Sequence, residues 1–226
     1  MTGRDGQASD VPMDASEIYS ARVDSYLRFI RWVGYPQGLR AAFASSPVLR
    51  PDLRILDAGC GTGVTTLALR SALAARGWSA SRIDCFDFTP AMLDRFRATL
   101  ATSEIEGVRL ARADVLRLDT LAEDWRDYDL VVTASMLEYI ARPDLARALA
   151  ALRMRLSEGG TLQLFITRNN ALMRPLIERW WAANLYTRDE LRAVLEKAGF
   201  GEVTFGHFPF PFRYLDLWGH VVSARA

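Results

Sequence analysis

Cysteine and histidine are scarce in this chain of 226 residues, with two of each. Cys60 and Cys85 have neither a metal-ligand spacing nor a disulfide-framework pattern, which excludes a zinc scaffold and fits reduced thiols in the cytoplasm, the expected location. No acidic cluster offers a magnesium site, so no metal is expected. Charge of one sign is missing too. A formal net charge of +1 gives no field to gather a polyanion, so nucleic acid is not expected as a partner. The first fourteen residues lack the basic start and apolar run of a signal peptide and read as a loose tail. No repeat or low-complexity tract appears. Half the residues are hydrophobic and 24% charged, the balance of a folded soluble protein without stable membrane insertion. The length then accommodates one α/β domain, taken as residues 15–226.

What is abundant is glycine at one place. The stretch Ile55 to Gly63, ILDAGCGTG, runs from a branched apolar strand end into Gly59, Gly61 and Gly63 at alternate positions, and a helical run opens at Val64. This predicts a strand, a tight turn and a helix, with glycines admitting both positive φ and a ligand close to the backbone. A plain turn with no ligand is the alternative. A dinucleotide fingerprint would place a small residue where Val64 stands, which disfavours NAD. Asp57 before the turn would repel a pyrophosphate and suits a cationic ligand.

Further strands and helices follow in alternation. Thr65 to Ala75 reads as a helix, Arg82 to Phe88 as a second strand, and Thr89-Pro90 as the start of the next helix with Thr89 as its N-cap. Asp87 at that strand tip can accept from both hydroxyls of a ribose; a helix cap is its other reading. Val108 to Ala111 is a third strand leading to Asp114 and Val115. Tyr128 to Thr133 has the continuous apolar character of a covered parallel strand and leads into Ser135 and Tyr139. Pro143 to Leu156 reads as an amphipathic helix stopped by Gly159-Gly160, and Thr161 to Ile166 as the fifth strand. Thr187 and Glu190 form a capping box for a helix to Ala198 that Gly199 ends. Strands near Val203–Phe208 and Gly219–Ala224, joined through Pro209 and Pro211, finish the domain.

Two regions do not fit that alternation. Residues 15–43 read as cap helices interrupted by a turn at Gly34 to Gly38 containing Pro36, and place Tyr19 on the substrate side, with core packing the alternative for it and for Tyr26. Residues 169–186 are an aromatic insertion carrying Trp180 and Trp181, read as covering the substrate. A membrane-facing or second-subunit patch, hence a possible homodimer, is the alternative.

The glycine stretch resembles motif I of the class I S-adenosylmethionine (SAM) dependent methyltransferases, and Asp87 to Leu93, DFTPAML, resembles their next motif. The resemblance implies a doubly wound α/β fold with a seven-strand sheet in the order 3-2-1-4-5-7-6 and the last strand antiparallel. It implies SAM as cofactor. Asp57, Gly59, Cys60, Gly61 and Gly63 would lie along its methionyl part, Asp87 at the ribose, Phe88 and Met92 beside the adenine, Asp114 and Val115 at the adenine amino group, and Ser135 nearby. The family often has a histidine in a Leu-Glu-His stretch after the fourth strand; here it is Leu137-Glu138-Tyr139. Tyr139 and His207 therefore stand as catalytic candidates, each with a packing alternative, and His220 ranks below them. Nothing resembles the Asn- or Asp-Pro-Pro-aromatic loop of the nucleic-acid amino methyltransferases. The expected activity is methyl transfer to a small, apolar or aromatic organic acceptor, at oxygen rather than carbon or nitrogen. A SAM-binding cyclase or pericyclase, or a non-catalytic partner subunit, is the rival reading.

Overall fold

The computed structural model describes residues 25, 27–80, 82–170 and 183–226. Tyr19, Tyr26, Trp180, Trp181 and the tail expected over residues 1–14 lie outside the described residues. The chain divides into two units, Met1–Val33 and Gly34–Ala226. In the first, residues 27–32 are helical.

The second unit holds a seven-stranded sheet in the order β3-β2-β1-β4-β5-β7-β6. Its strands are β1 (Arg54–Ala58), β2 (Arg82–Asp87), β3 (Val108–Arg112), β4 (Tyr128–Ala134), β5 (Leu156–Thr167), β6 (Gly201–Gly206) and β7 (Gly219–Arg225). β7 pairs antiparallel with both β5 and β6, and the other pairings are parallel. The expected order and strand direction are therefore those observed. Alternation along β1 and β4 sends Leu56, Ala58 and Val131 into one apolar layer and Ile55, Leu130 and Val132 into the other. Helices α1 (Tyr35–Ser45), α2 (Val64–Ala74) and α3 (Pro90–Thr102) bury apolar residues in the second layer; α4 (Leu145–Arg153) and α5 (Arg188–Lys197) do so in the first. Both faces are thus covered, which is why β1 and β4 are apolar nearly throughout.

The parallel strands all end on one edge of the sheet, and the loops that leave it form the candidate site. The opposite, amino edge is closed by a polar cluster. Asp84, fully buried, accepts from Tyr128 Oη at 2.6 Å, from Arg82 Nε at 2.7 Å and twice from Arg109, Nε at 2.7 Å and Nη2 at 3.0 Å. Burial pushes the Asp84 carboxyl above the usual carboxylate range, against the pull of Tyr128 and Arg82.

Several boundaries differ from expectation for identifiable reasons. Pro36 does not interrupt the first helix; it sits in the opening turn of α1, where its missing N–H costs nothing, and only Val33-Gly34 turn. Gly38 lies inside α1 because a Cβ there would come within 2.2 Å of Leu215 Cδ1. Gly159-Gly160 does not stop α4, which ends at Arg153. The pair lies within β5, and a Cβ on Gly160 would approach the Tyr128 carbonyl oxygen to 2.8 Å where the β4–β5 register shifts. Thr89 is the N-cap residue of α3, but its side chain makes no capping bond. β6 is Gly201–Gly206, earlier than the expected span, and a 3-10 helix, Phe212–Leu217, occupies the link to β7. The Thr187–Glu190 capping box is present in full.

Candidate active site

The site is built on the carboxyl ends of β1, β2 and β4. Gly59 and Gly63 follow β1 with φ of 74° and 86°, values that favour glycine. Each also packs where no side chain fits: a Cβ on Gly59 would lie 2.3 Å from Met136 Cγ, and one on Gly63 2.1 Å from the Phe96 ring. Gly61 is different. Its φ is 52°, yet nothing lies within 4 Å of the position its Cβ would take, so the loop presents bare backbone to open space. That is the surface a close-lying ligand requires.

Two acids flank this loop. Asp87, partly exposed at the tip of β2, accepts the Gly61 N–H at 2.9 Å through Oδ2 and the Thr89 N–H at 2.8 Å through Oδ1. Each oxygen keeps a further lone pair, so a carboxylate oriented this way can also accept from a pair of vicinal hydroxyls. Asp57, near the end of β1, is 1% exposed. Its Oδ2 accepts from Thr66 Oγ1 at 2.5 Å, and its Oδ1 has no partner among the described residues. Burial pushes the Asp57 carboxyl up to about 7; Thr66 pulls against this and the Asp87 carboxylate adds to it. Cys60 and Cys85 lie beside the acids as buried thiols, and the Cys60 thiol is pushed up by its hydrogen bond to Cys85, by burial and by both carboxylates.

The remaining cofactor candidates line the same edge. Phe88, 60% exposed, lies next to Asp87 with the Arg112 guanidinium 5.7 Å from its ring centroid. Met92 stands in the first turn of α3. Asp114 accepts the Leu116 N–H at 2.9 Å, while the Val115 side chain is buried in the apolar layer. Ser135 follows β4 with φ of 54°, unusual for a residue with a side chain and a strain that recurs at functional turns. Its N–H donates to the Phe165 carbonyl at 3.0 Å.

On the acceptor side, Tyr139 is 47% exposed in the 3-10 turn Leu137–Tyr139 after β4. Glu138 beside it is buried, with Oε1 accepting from Thr167 Oγ1 at 2.7 Å and Oε2 without a partner among the described residues; burial pushes its carboxyl up to about 7. Its carbonyl accepts from Asn184, whose backbone N–H lies at 2.8 Å and Nδ2 at 3.1 Å. His207 does not join the Asp57–Asp87 pair. It follows β6, three strands outward from β4, with Nδ1 2.7 Å from Asp216 Oδ2. His220 is buried with Nε2 3.1 Å from the Tyr186 carbonyl oxygen, and burial pulls its imidazole below the usual range. Among the described residues, no group of three or more His, Cys, Asp or Glu could hold a metal ion, and no helix is long and apolar enough to cross a membrane.

Sequence reasoning passed over Thr66, Met136, Phe96 and Glu138. Thr66 had a usable signal, a hydroxyl one turn into the helix that leaves the glycine loop. Glu138 had another, an acid directly after the apolar Leu137.

Comparison with known proteins gives a family match over residues 55–160 to a model described as a methyltransferase domain. A highly reducing polyketide synthase of Pyricularia oryzae is 31% identical over 71% of this chain and 6% of its own length. A malonyl-[acyl-carrier protein] O-methyltransferase of Geobacter sulfurreducens is 35% identical over 66% of this chain and 56% of its own length. The chain thus spans little more than half of one curated relative and a small part of the other. Among solved structures, the S-adenosylmethionine-dependent methyltransferase SibL, in its apo form, shares the fold with a TM-score of 0.66 at 22% identity, covering 83% of this chain and 54% of that one.

Proposed function

We propose that this chain, which matches a methyltransferase domain over residues 55–160, is a class I SAM-dependent methyltransferase that moves the methyl group of SAM to an oxygen of a small, apolar or aromatic organic acceptor. The observation that carries the reading is the Asp57–Gly61–Asp87 arrangement. A buried acid with one oxygen unpartnered among the described residues, bare loop backbone facing open space and a second acid set for vicinal hydroxyls fit a nucleoside that also bears a cation. When bound, SAM supplies a methyl group on a positively charged sulfur, open to in-line displacement by a nucleophile.

The chain's own residues then have three tasks. Asp87 accepts from the ribose hydroxyls, and its bond to Gly61 holds the loop against the ligand. Asp57 sets a carboxyl beneath the cationic end of the methionyl part. Tyr139, leaving β4, places the acceptor in line and keeps water out, which is where proximity supplies a large part of the acceleration. No histidine stands in the turn Ser135–Tyr139 directly after β4, and the acid there, Glu138, is buried. That favours an oxygen nucleophile needing little help from a base, a carboxylate or a phenolate. The O-methyltransferase among the relatives supports oxygen, and the polyketide synthase supports an acyl-derived acceptor.

Incubation with methyl-labelled SAM and a panel of aromatic acids, phenols and acyl thioesters tests this. A labelled ester or ether is expected. SAM binding without transfer to any acceptor would favour a structural cofactor, and label on carbon would overturn the choice of oxygen.

A further inference from the structure

The two acids of the cofactor site have surroundings that differ in kind. Asp87 is partly exposed, and both its oxygens accept backbone N–H groups. Asp57 is 1% exposed, accepts from the Thr66 hydroxyl, has the Thr66 backbone N–H facing it as well, and keeps Oδ1 without a partner among the described residues. Among the described residues, the groups that face it are the Asp87 carboxylate and the Cys85 thiol from β2, the Cys60 thiol from the glycine loop, and the Thr66 hydroxyl and backbone N–H from α2. None of these is a cation. Among the described residues, an ionised Asp57 would therefore be a buried charge with no counterion and a like charge nearby, an arrangement that proteins relieve by neutralising the group.

We propose that Asp57 carries a proton in the cofactor-free protein and releases it when the α-ammonium of the ligand arrives, so that cofactor binding exchanges an ammonium for a proton. The inference rests on the cofactor site of the preceding subsection. The balance is simple: the O–H bond of the Asp57 carboxyl breaks, the proton passes to solvent, and the carboxylate that remains is neutralised by the ligand's own charge. The raised affinity of Asp57 for its proton, caused by burial first and Asp87 second, agrees with this.

Two consequences distinguish this exchange from an ordinary ion pair. Affinity for S-adenosylhomocysteine, which keeps the ammonium, should rise about tenfold between pH 6 and pH 8. Methylthioadenosine, which keeps the ribose and adenine but has no ammonium, should bind with no such dependence on Asp57.

Isothermal titration calorimetry of the full chain at pH 6.5, in three buffers of different ionisation enthalpy, counts the protons directly. S-adenosylhomocysteine should release between about 0.5 and 1 proton per molecule bound. Methylthioadenosine should release close to none, and Asp57→Asn should bind S-adenosylhomocysteine without release. Binding of S-adenosylhomocysteine to the unaltered protein with no proton release overturns the exchange while leaving the cofactor site in place. Equal release by methylthioadenosine overturns it as well, since the ammonium is then not the trigger. Absence of all S-adenosylhomocysteine binding would instead remove the cofactor site and the exchange together. Should Asp57→Asn fail to fold, the comparison of the two ligands on the unaltered protein decides alone.

Discussion

The Gly61 N–H donates to Asp87 Oδ2 at 2.9 Å, joining the glycine loop of β1 to the acid of β2. Asp87→Ala should therefore do two things at once: remove the acceptor for the ribose and release the loop. Loss of charge-assisted hydrogen bonds of roughly 1.5–3 kcal/mol predicts about ten- to a hundred-fold weaker SAM binding. Calorimetry on the folded variant checks this, and unchanged affinity would refute the assignment of Asp87.

Gly61 and Gly63 should separate binding from stability. Gly61→Val puts a branched side chain into open space at a positive φ; it should abolish SAM binding while costing about 1–2 kcal/mol of backbone strain. Gly63→Ala meets the buried Phe96 ring and should cost about 2–4 kcal/mol. Urea unfolding paired with ligand titration should rank the two variants in opposite orders, and the same order for both measurements would count against the open space as ligand space.

Glu138 makes a pH prediction whose sign follows from its raised carboxyl. Stability from the protonated group is fully present below the unfolded value of 4.5 and is lost as pH rises through about 7. Glu138→Gln keeps an acceptor for Thr167 and removes the titration. Any fixed cost of the amide is the same at every pH, so the variant should gain on the unaltered protein by up to about 3 kcal/mol between pH 5 and pH 8. Denaturant melts at the two pH values measure the difference; a constant offset would mean that Glu138 does not titrate there.

At the amino edge, Tyr128→Phe withdraws one donor from the buried Asp84 and should cost about 1–3 kcal/mol. Because that cluster lies at the far end of the strands from the glycine loop, affinity for S-adenosylhomocysteine should stay unchanged. A weakened affinity in the folded variant would show that the two edges are coupled.

The parts legible in the sequence were those with a local cause. Asp57, the three glycines and Asp87 sit at strand tips whose apolar runs mark them without help from the rest of the chain, and the Thr187–Glu190 box is a contact within one helical turn. The misread parts depend on partners remote in sequence. Gly159-Gly160 has the look of a helix stop, but Gly160 is small because the Tyr128 carbonyl approaches it across the sheet. Pro36 looks like a break and is instead an opening residue of α1. Thr66 and Glu138 were missed because a hydroxyl on a helix and an acid in a turn reveal their burial only once β1 and β5 are in place.

Strand β7 runs against its neighbours, pairing Gly219 with Thr167 at the edge where the parallel strands end and Arg225 with Thr161 near the other, where the Ala226 N–H donates to the Gly160 carbonyl at 2.9 Å. Its seven residues carry the chain about 23 Å along the sheet. A label or tether carried on the side chain at position 226 would therefore sit on the side facing away from Asp57 and Asp87. Protein immobilised through that position would present the glycine-loop edge to the solution, which makes it the preferred attachment for the binding measurements above.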